Sequence, residues 1–200
     1  VIDGFREFLT PDVSDIMNRL YTMVPEIKNQ TSPHLTICGP ACTVKVFPGD
    51  NLMVHKALDI AKPGDIMVVD AGSSPMNAVL GDLISTKAKH RGIAGVVVDG
   101  LVRDIEGILE TNIPVFARGT TPIGPLHRGP GEVNYPIQCG GIVVHPGDIV
   151  VVDMNGELYS LLIDQVGEVL SLPAERYEAN PPTLDPRWRD GLKDVETCSH

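Results

Sequence analysis

Apolar positions fall along this chain in two rhythms. Val13, Ile16, Met17, Leu20 and Val24 recur at helical spacing. Thr10 stands where an N-cap belongs and Pro11 at the first helical position, so this segment predicts an amphipathic first helix. Farther on the apolar residues run together. KPGDIMVVD and AGVVVDG each read as a strand too uniformly apolar to have one wet face, which predicts cover on both faces. ACTVKVF and PVFA read as further strands.

Helical signals lie between these strands. Asp50 is placed to cap a short helix, NLMVHKALDIA, and Arg103 to Glu110 predicts another. Ser73, Ser74 and Pro75 signal a helix start, and the pattern carries that helix to about His90. A later start near Leu80 is the alternative, and it would put Gly81, Asp82, Leu83 and Ile84 in a first turn. Strand and helix alternate in successive βα units, so the expectation is an α/β domain with parallel strands and right-handed crossovers.

The second half changes character. RGTTPIGPLHRGPGEVNYPIQCGG is dense in Gly and Pro and keeps no helical period, so an ordered loop region with short β pieces is expected. GGIVVHPGDIVVVDMNGELYSLL is β-rich, with Asn155-Gly156 as a two-residue hairpin signal. PGDIMVVD from Pro63 nearly repeats as PGDIVVVD from Pro146, which predicts one turn-to-strand solution used twice in a sheet system. A last helix is expected from Asp164 to Tyr177. Residues 1–178 thus form one domain, and 179–200 are a polar, Pro-broken tail or an arm laid on a neighbouring subunit.

Composition narrows the function classes. The formal net charge of −10 repels phosphate backbones and argues against nucleic acid as a partner. No apolar run approaches the roughly 20 residues that span a bilayer. VIDGFREFL lacks the basic start and apolar stretch of a secretory signal, so a cytoplasmic protein is expected. Cys38, Cys42, Cys139 and Cys198 have no zinc spacing and read as reduced cysteines. His34, His55, His90, His127 and His145 are scattered and read as surface or structural. Lys45 on an alternating strand reads as facing solvent, and Glu132 is a modest alternative acid.

One stretch concentrates chemistry: GDLISTKAKHRGIAGVVVDGLVRD, from Gly81 to Asp104. Ligands of open α/β sheets gather at the carboxyl ends of strands, so the ends near Asp70 and Asp99 are expected to bracket one crevice. Arg103 can grip a carboxylate through two parallel hydrogen bonds. Asp104 offers oxygen to a hard cation, and Asp82 could act on a proton or orient a metal-bound water. A bland reading stands beside this one: Arg103-Asp104 as a surface pair opening a helix, with Asp104 a first-turn acid.

Asp82, then twenty residues, then Arg103-Asp104, resembles the motif of the class II pyruvate aldolases of the 4-hydroxy-4-methyl-2-oxoglutarate aldolase family, whose relatives include the regulator of ribonuclease activity A. PVFARGTTPIGP, GPGEVNYPIQCGG and VHPGDIVVVDMNG are similar to the family's flanking blocks, and the likeness spans roughly residues 10–172. The resemblance implies the three-layer β/β/α swivelling domain and a trimer or a pair of trimers. It implies that amides of Gly81, Asp82, Leu83 and Ile84 hold substrate, that Arg103 holds the pyruvyl end, that Asp104 is the direct ligand of Mg²⁺ or Mn²⁺, and that Asp82 holds or activates a metal-bound water. Glu106 is displaced from the family's further acid, and some members take an acidic residue from a neighbouring subunit. The activity implied is cleavage of a 4-hydroxy-2-oxo acid to pyruvate, with oxaloacetate decarboxylation through the same enolate. A non-catalytic ribonuclease regulator on the same fold is the alternative; retention of Asp82, Arg103 and Asp104 favours the enzyme. No glycine motif for a methyl donor follows a strand here, which sets aside the methyltransferase label that similar sequences have carried.

Overall fold

The computed structural model of the protein describes residues 10–31, 37–152 and 161–163. Its centre is four mutually parallel strands: β2 (Ile37–Val46), β3 (Ile66–Asp70), β5 (Gly95–Val102) and β6 (Val115–Thr120). Their spatial order is β6-β5-β3-β2. Helix α2 (Leu52–Ile60) connects β2 to β3, α3 (Asp82–His90) lies between β3 and β5, and α4 (Ile105–Thr111) connects β5 to β6. The edges are antiparallel. β1 (Lys28–Asn29) pairs with β6 and β7 (Gly131–Val133) with β2. β10 (Ile149–Val152) also pairs with β2, and β11 (Leu161–Ile163) with β10.

The continuous apolar runs are explained by burial on both faces. Met67 and Val69 of β3 pack with Val54 and Leu58 of α2, Ile84 of α3 and Ile108 of α4. Ile66 and Val68 point the other way, into a core with Val97, Phe116, Ile137 and Val144. The last two belong to a separate antiparallel pair, β8 (Ile137–Cys139) and β9 (Ile142–Val144). Helices, main sheet and small sheet make the three-layer α/β architecture. No helix among the described residues is long and apolar enough to cross a membrane.

The repeated PGDI turn behaves as its sequence predicts. Gly64 and Gly147 adopt φ of 90° and 89°, and Asp65 and Asp148 accept from the amides of Lys62 and His145 at 2.8 and 2.7 Å. The two strands they launch, β3 and β10, flank β2 on either side. The hairpin strands also pair, Ile149 opposite Ile163. The Asn155-Gly156 turn, the helix expected over Asp164–Tyr177 and the 179–200 tail lie outside the described residues.

Three elements depart from the pattern. Helix α1 is Thr10–Ile16; Asn18 and Arg19 turn left-handed at φ 56° and 61° and end it, leaving Ile16 and Leu20 exposed. No helix starts at Ser74. Ser73 is left-handed at φ 52° and its hydroxyl donates to Asp99, so Ser-Ser-Pro is a turn. Ala78–Leu80 then form a fully buried strand, β4, parallel to β5, and α3 begins only at Asp82. Burial of Ala78, Val79 and Leu80 outweighs the local capping signal. Nor do Asp70 and Asp99 bracket an open crevice, for both are buried.

Asp99 fastens the layers together. Its carboxylate accepts from Arg118 Nε, from Ser73 Oγ at 2.8 Å and from the Gly140 amide in the β8–β9 turn at 2.7 Å. Burial by itself would raise its pKa, but these donors, Arg118 foremost, hold it below the usual carboxylate value. A depressed folded pKa gives stability that is complete above the unfolded value of about 3.9 and is lost as pH falls through the folded value. Asp99→Asn should therefore cost about 2–3 kcal/mol at neutral pH, less than a fully buried pair because Arg118 keeps 25% exposure. Urea unfolding at neutral pH and near pH 3 should show the variant's deficit shrinking in acid.

Candidate active site

The site begins where two strands end together. Leu80 of β4 pairs with Val102 of β5, and the Arg103 amide donates to the Leu80 carbonyl at 3.0 Å. Both chains then turn into helices. Gly81 is the N-cap of α3, and Asp104, left-handed at φ 55° and ψ 46°, is the N-cap of α4. This backbone region costs a non-glycine residue of the order of 1–2 kcal/mol, and such outliers concentrate at functional positions.

Missing side chains make room for the charged ones. A methyl group at Gly81 would come within 2.7 Å of Asp104 Oδ2 and 3.2 Å of Arg103 Cγ. One at Gly124 would lie 2.8 Å from Arg103 Nη1. The guanidinium therefore lies along bare backbone. Its Nε is 3.1 Å from Asp104 Oδ2, with both side chains about two-fifths exposed. Asp82 Oδ1 accepts from the Leu83 amide at 2.7 Å. The first backbone bond of α3 is from Ser85 to Gly81, so the amides of Asp82, Leu83 and Ile84 precede it, at the positive end of the helix.

A pocket of about 120 Å³ sits here, lined by Gly81, Asp82, Leu83, Ile84 and Arg103 from β4–α3 and β5, and by Asn51, His55, Leu80, Pro125 and His127. Every residue singled out in the Gly81–Ile84 turn is in its wall, as is Arg103. Asp104 stands one residue beyond, its carboxylate beside Gly81 and Arg103 Nε. No three His, Cys, Asp or Glu side chains gather as a metal cage among the described residues.

Asn51, His55 and His127 are the residues that sequence reasoning passed over. Asn51 and His55 are four apart at the start of α2 and so share a face, a signal the sequence did contain. His127 arrives from a loop with no periodicity. That loop is sewn to the start of α2. Leu126 N donates to Gly49 O at 2.8 Å and Asn51 N to Leu126 O at 3.1 Å. Buried Asp50 accepts from the amides of Arg128 at 2.6 Å, Gly129 at 2.8 Å and Leu52 at 2.8 Å. His127 Nδ1 then meets Asn51 Oδ1 at 2.6 Å, and the two imidazole rings are 6.2 Å apart. Burial, with Lys87 and His127 nearby, holds His55 below the ordinary imidazole pKa against the opposing pull of Asp59.

Other candidates stay outside this pocket. Lys45 is exposed opposite Glu132 on the β2–β7 ladder, as expected, although β2 does not alternate and is otherwise largely buried. Cys38, Cys42 and Cys139 are buried. Burial and then Asp65 push Cys42 up to about 11, which rules it out as a thiolate nucleophile at neutral pH.

Known proteins resemble this chain in sequence and in fold. A Halalkalibacterium halodurans protein named "Putative 4-hydroxy-4-methyl-2-oxoglutarate aldolase" is 43% identical over 155 residues, 78% of this chain and 73% of that one. A Hahella chejuensis protein of the same name is 35% identical over 170 residues, 85% of this chain and 99% of that one. Among solved structures, the RNA-processing inhibitor RraA from Thermus thermophilis superposes with a TM-score of 0.72 at 33% identity, covering 82% of this chain and 98% of that one. A Geobacillus kaustophilus protein described as an S-adenosylmethionine: 2-dimethylmenaquinone methyltransferase gives 0.67 at 34% identity, covering 78% and 96%. Residues 10–158 match the RraA-like family model, Aldolase/RraA, and the chain belongs to that family.

Proposed function

We propose that the protein is a divalent-metal-dependent aldolase that cleaves 4-hydroxy-2-oxo acids of the 4-hydroxy-4-methyl-2-oxoglutarate type to pyruvate and also decarboxylates oxaloacetate. The observation that carries this is the meeting of Arg103, Asp82 and the first-turn amides of α3 around one small hollow. An arginine fork, a carboxylate and a row of amides suit a 2-oxo acid: the fork takes the carboxylate, and the amides take developing oxyanion charge.

The residues fit a mostly hydrated Mg²⁺ or Mn²⁺. Such ions accept one or two carboxylates and keep water at their other positions, so a lone half-exposed carboxylate suffices. Gly81 leaves open the space beside Asp104 Oδ2 that a Cβ would fill. Asp104 would hold the cation directly and Asp82 would orient one of its waters. When bound, the cation supplies positive charge at the 2-oxo oxygen and stabilises the enolate. Arg103 fixes the pyruvyl carboxylate, placing the C3–C4 bond over the pocket, and the amides near Gly81 share the enolate charge. Loss of CO₂ from oxaloacetate produces the same enolate.

A second reading has one observation in its favour: likeness to the RNA-processing inhibitor RraA. It makes the chain a protein-binding regulator with no turnover. A coupled pyruvate-release assay separates the two, using 4-hydroxy-4-methyl-2-oxoglutarate, 4-carboxy-4-hydroxy-2-oxoadipate and oxaloacetate, with and without EDTA. Pyruvate should appear with Mg²⁺ or Mn²⁺ and stop with EDTA; no release from any of the three favours the regulator. Asp104→Ala should lose at least about 100-fold in kcat while its circular dichroism stays native. Undiminished turnover removes Asp104 from the mechanism. Arg103→Lys should lose about 10²–10³-fold in kcat/KM, because a point charge cannot reproduce the guanidinium fork.

Assembly as a trimer or pair of trimers completes this proposal. Ile16 at 78%, Leu83 at 75% and Leu20 at 69% exposure are apolar surface that a partner subunit would cover. Sedimentation should give a trimer or hexamer, and an active monomer would remove the assembly from the account.

A further inference from the structure

Asn51, His55 and His127 form the wall of the pocket that the chemistry of Arg103 and Asp104 leaves unused. Cleavage of a 4-hydroxy-2-oxo acid needs something that decarboxylation does not. A proton must leave the C4 hydroxyl as the C3–C4 bond breaks. Arg103 cannot accept it, because a guanidinium stays charged. Asp82 has one oxygen on the Leu83 amide, and its role above is to orient a water of the cation rather than to meet the C4 hydroxyl.

We propose that His127 is the acceptor of that proton and that Asn51 is its positioning residue; this rests on the aldolase reading above. His127 Nδ1 lies 2.6 Å from Asn51 Oδ1. A carboxamide oxygen only accepts, so Nδ1 carries a hydrogen, and whenever the ring holds a single proton the lone pair is on Nε2. An imidazole held in one tautomer by a third group is the arrangement that makes histidine an effective base. Its place is fixed as well. The bonds from Arg128 and Gly129 to buried Asp50, and from Asn51 to Leu126, hold the loop on both sides of His127. Burial, with Lys87 and His127 nearby, holds His55, 6.2 Å away, below the ordinary imidazole pKa.

The step balances without a further reagent. The O–H proton passes to Nε2, the O–H electron pair becomes the second bond of the C4 carbonyl, and the C3–C4 pair remains on the pyruvate enolate. The imidazolium, or water, then protonates C3, giving pyruvate and a second carbonyl compound.

The two substrates of this site make the test. In His127→Gln, kcat for 4-hydroxy-4-methyl-2-oxoglutarate should fall at least about 100-fold, a loss at least about tenfold larger than that for oxaloacetate. Retained decarboxylation reports that the variant is folded and that Arg103 and Asp104 still work. In His127→Ala, added imidazole should restore part of the aldol rate. Asn51→Ala should lower aldol kcat more than KM, and Asn51→Asp, which keeps an acceptor for Nδ1, should recover most of it. Equal losses on both substrates, or full aldol activity in His127→Gln, overturn the assignment to His127. A parent enzyme inactive on both substrates overturns the aldolase reading itself, and this inference with it.

Discussion

The parallel pairing of Leu80 with Val102, extended by the Arg103 amide to the Leu80 carbonyl at 3.0 Å, is the constraint from which the site follows. It stops two strands at one level. One chain must then turn at Gly81 into α3 and the other at Asp104 into α4, so the start of α3 and the Arg103-Asp104 pair are forced side by side. The approach is so close that any side chain at position 81 would collide with the Asp104 carboxylate. The left-handed backbone at Asp104 is the local cost of that turn, and the surrounding parallel sheet is rigid enough to impose it.

The charged groups divide by environment. Asp99 and Asp50 are buried and fully engaged, one by Arg118, Ser73 and Gly140, the other by three backbone amides. Losing either partner of such an arrangement leaves an uncompensated buried charge, so these acids hold layers and loops in place. Arg103 and Asp104 are different. Their ion pair is open to water and contributes little to stability, typically 0–1 kcal/mol. Charge that does so little for the fold, set beside a pocket and on strained backbone, is available for ligand chemistry. Asp50 links the two classes. It is structural itself, yet it fixes the loop that brings His127 to the pocket wall.

Much of this was legible in the sequence. Uninterrupted apolar runs such as IMVV and GVVV cannot have a wet face, so strands buried on both sides, and hence a layered α/β domain, follow from the residues. The spacing of Asp82 to Arg103-Asp104 singles out the three residues, but the pattern runs a helix through Asp82, and it is the start of α3 at Asp82 and the pairing of β4 with β5 that bring them to one sheet end. The PGDI echo foretold two equivalent strands, because a glycine at positive φ and an aspartate folding back on the turn are local properties.

What the sequence misplaced depended on partners far along the chain. Ser73 and Ser74 carry a helix-start signal, but Asp99 claims the Ser73 hydroxyl and β5 claims Ala78–Leu80, so a strand forms where local preference asks for a helix. Asp70 ends β3, but Asp99 lies within β5, the small β8–β9 layer is bonded over it, and the hollow opens instead at the ends of β4 and β5. His55 and His127 are 72 positions apart, and only the hydrogen bonds that tie the Leu126–Gly129 loop to Gly49–Asn51 set them in one wall. The sequence by itself determined the layers and the charged residues on offer. Tertiary structure decided which of them share a pocket, because that depends on pairing between distant backbones, which no local pattern encodes.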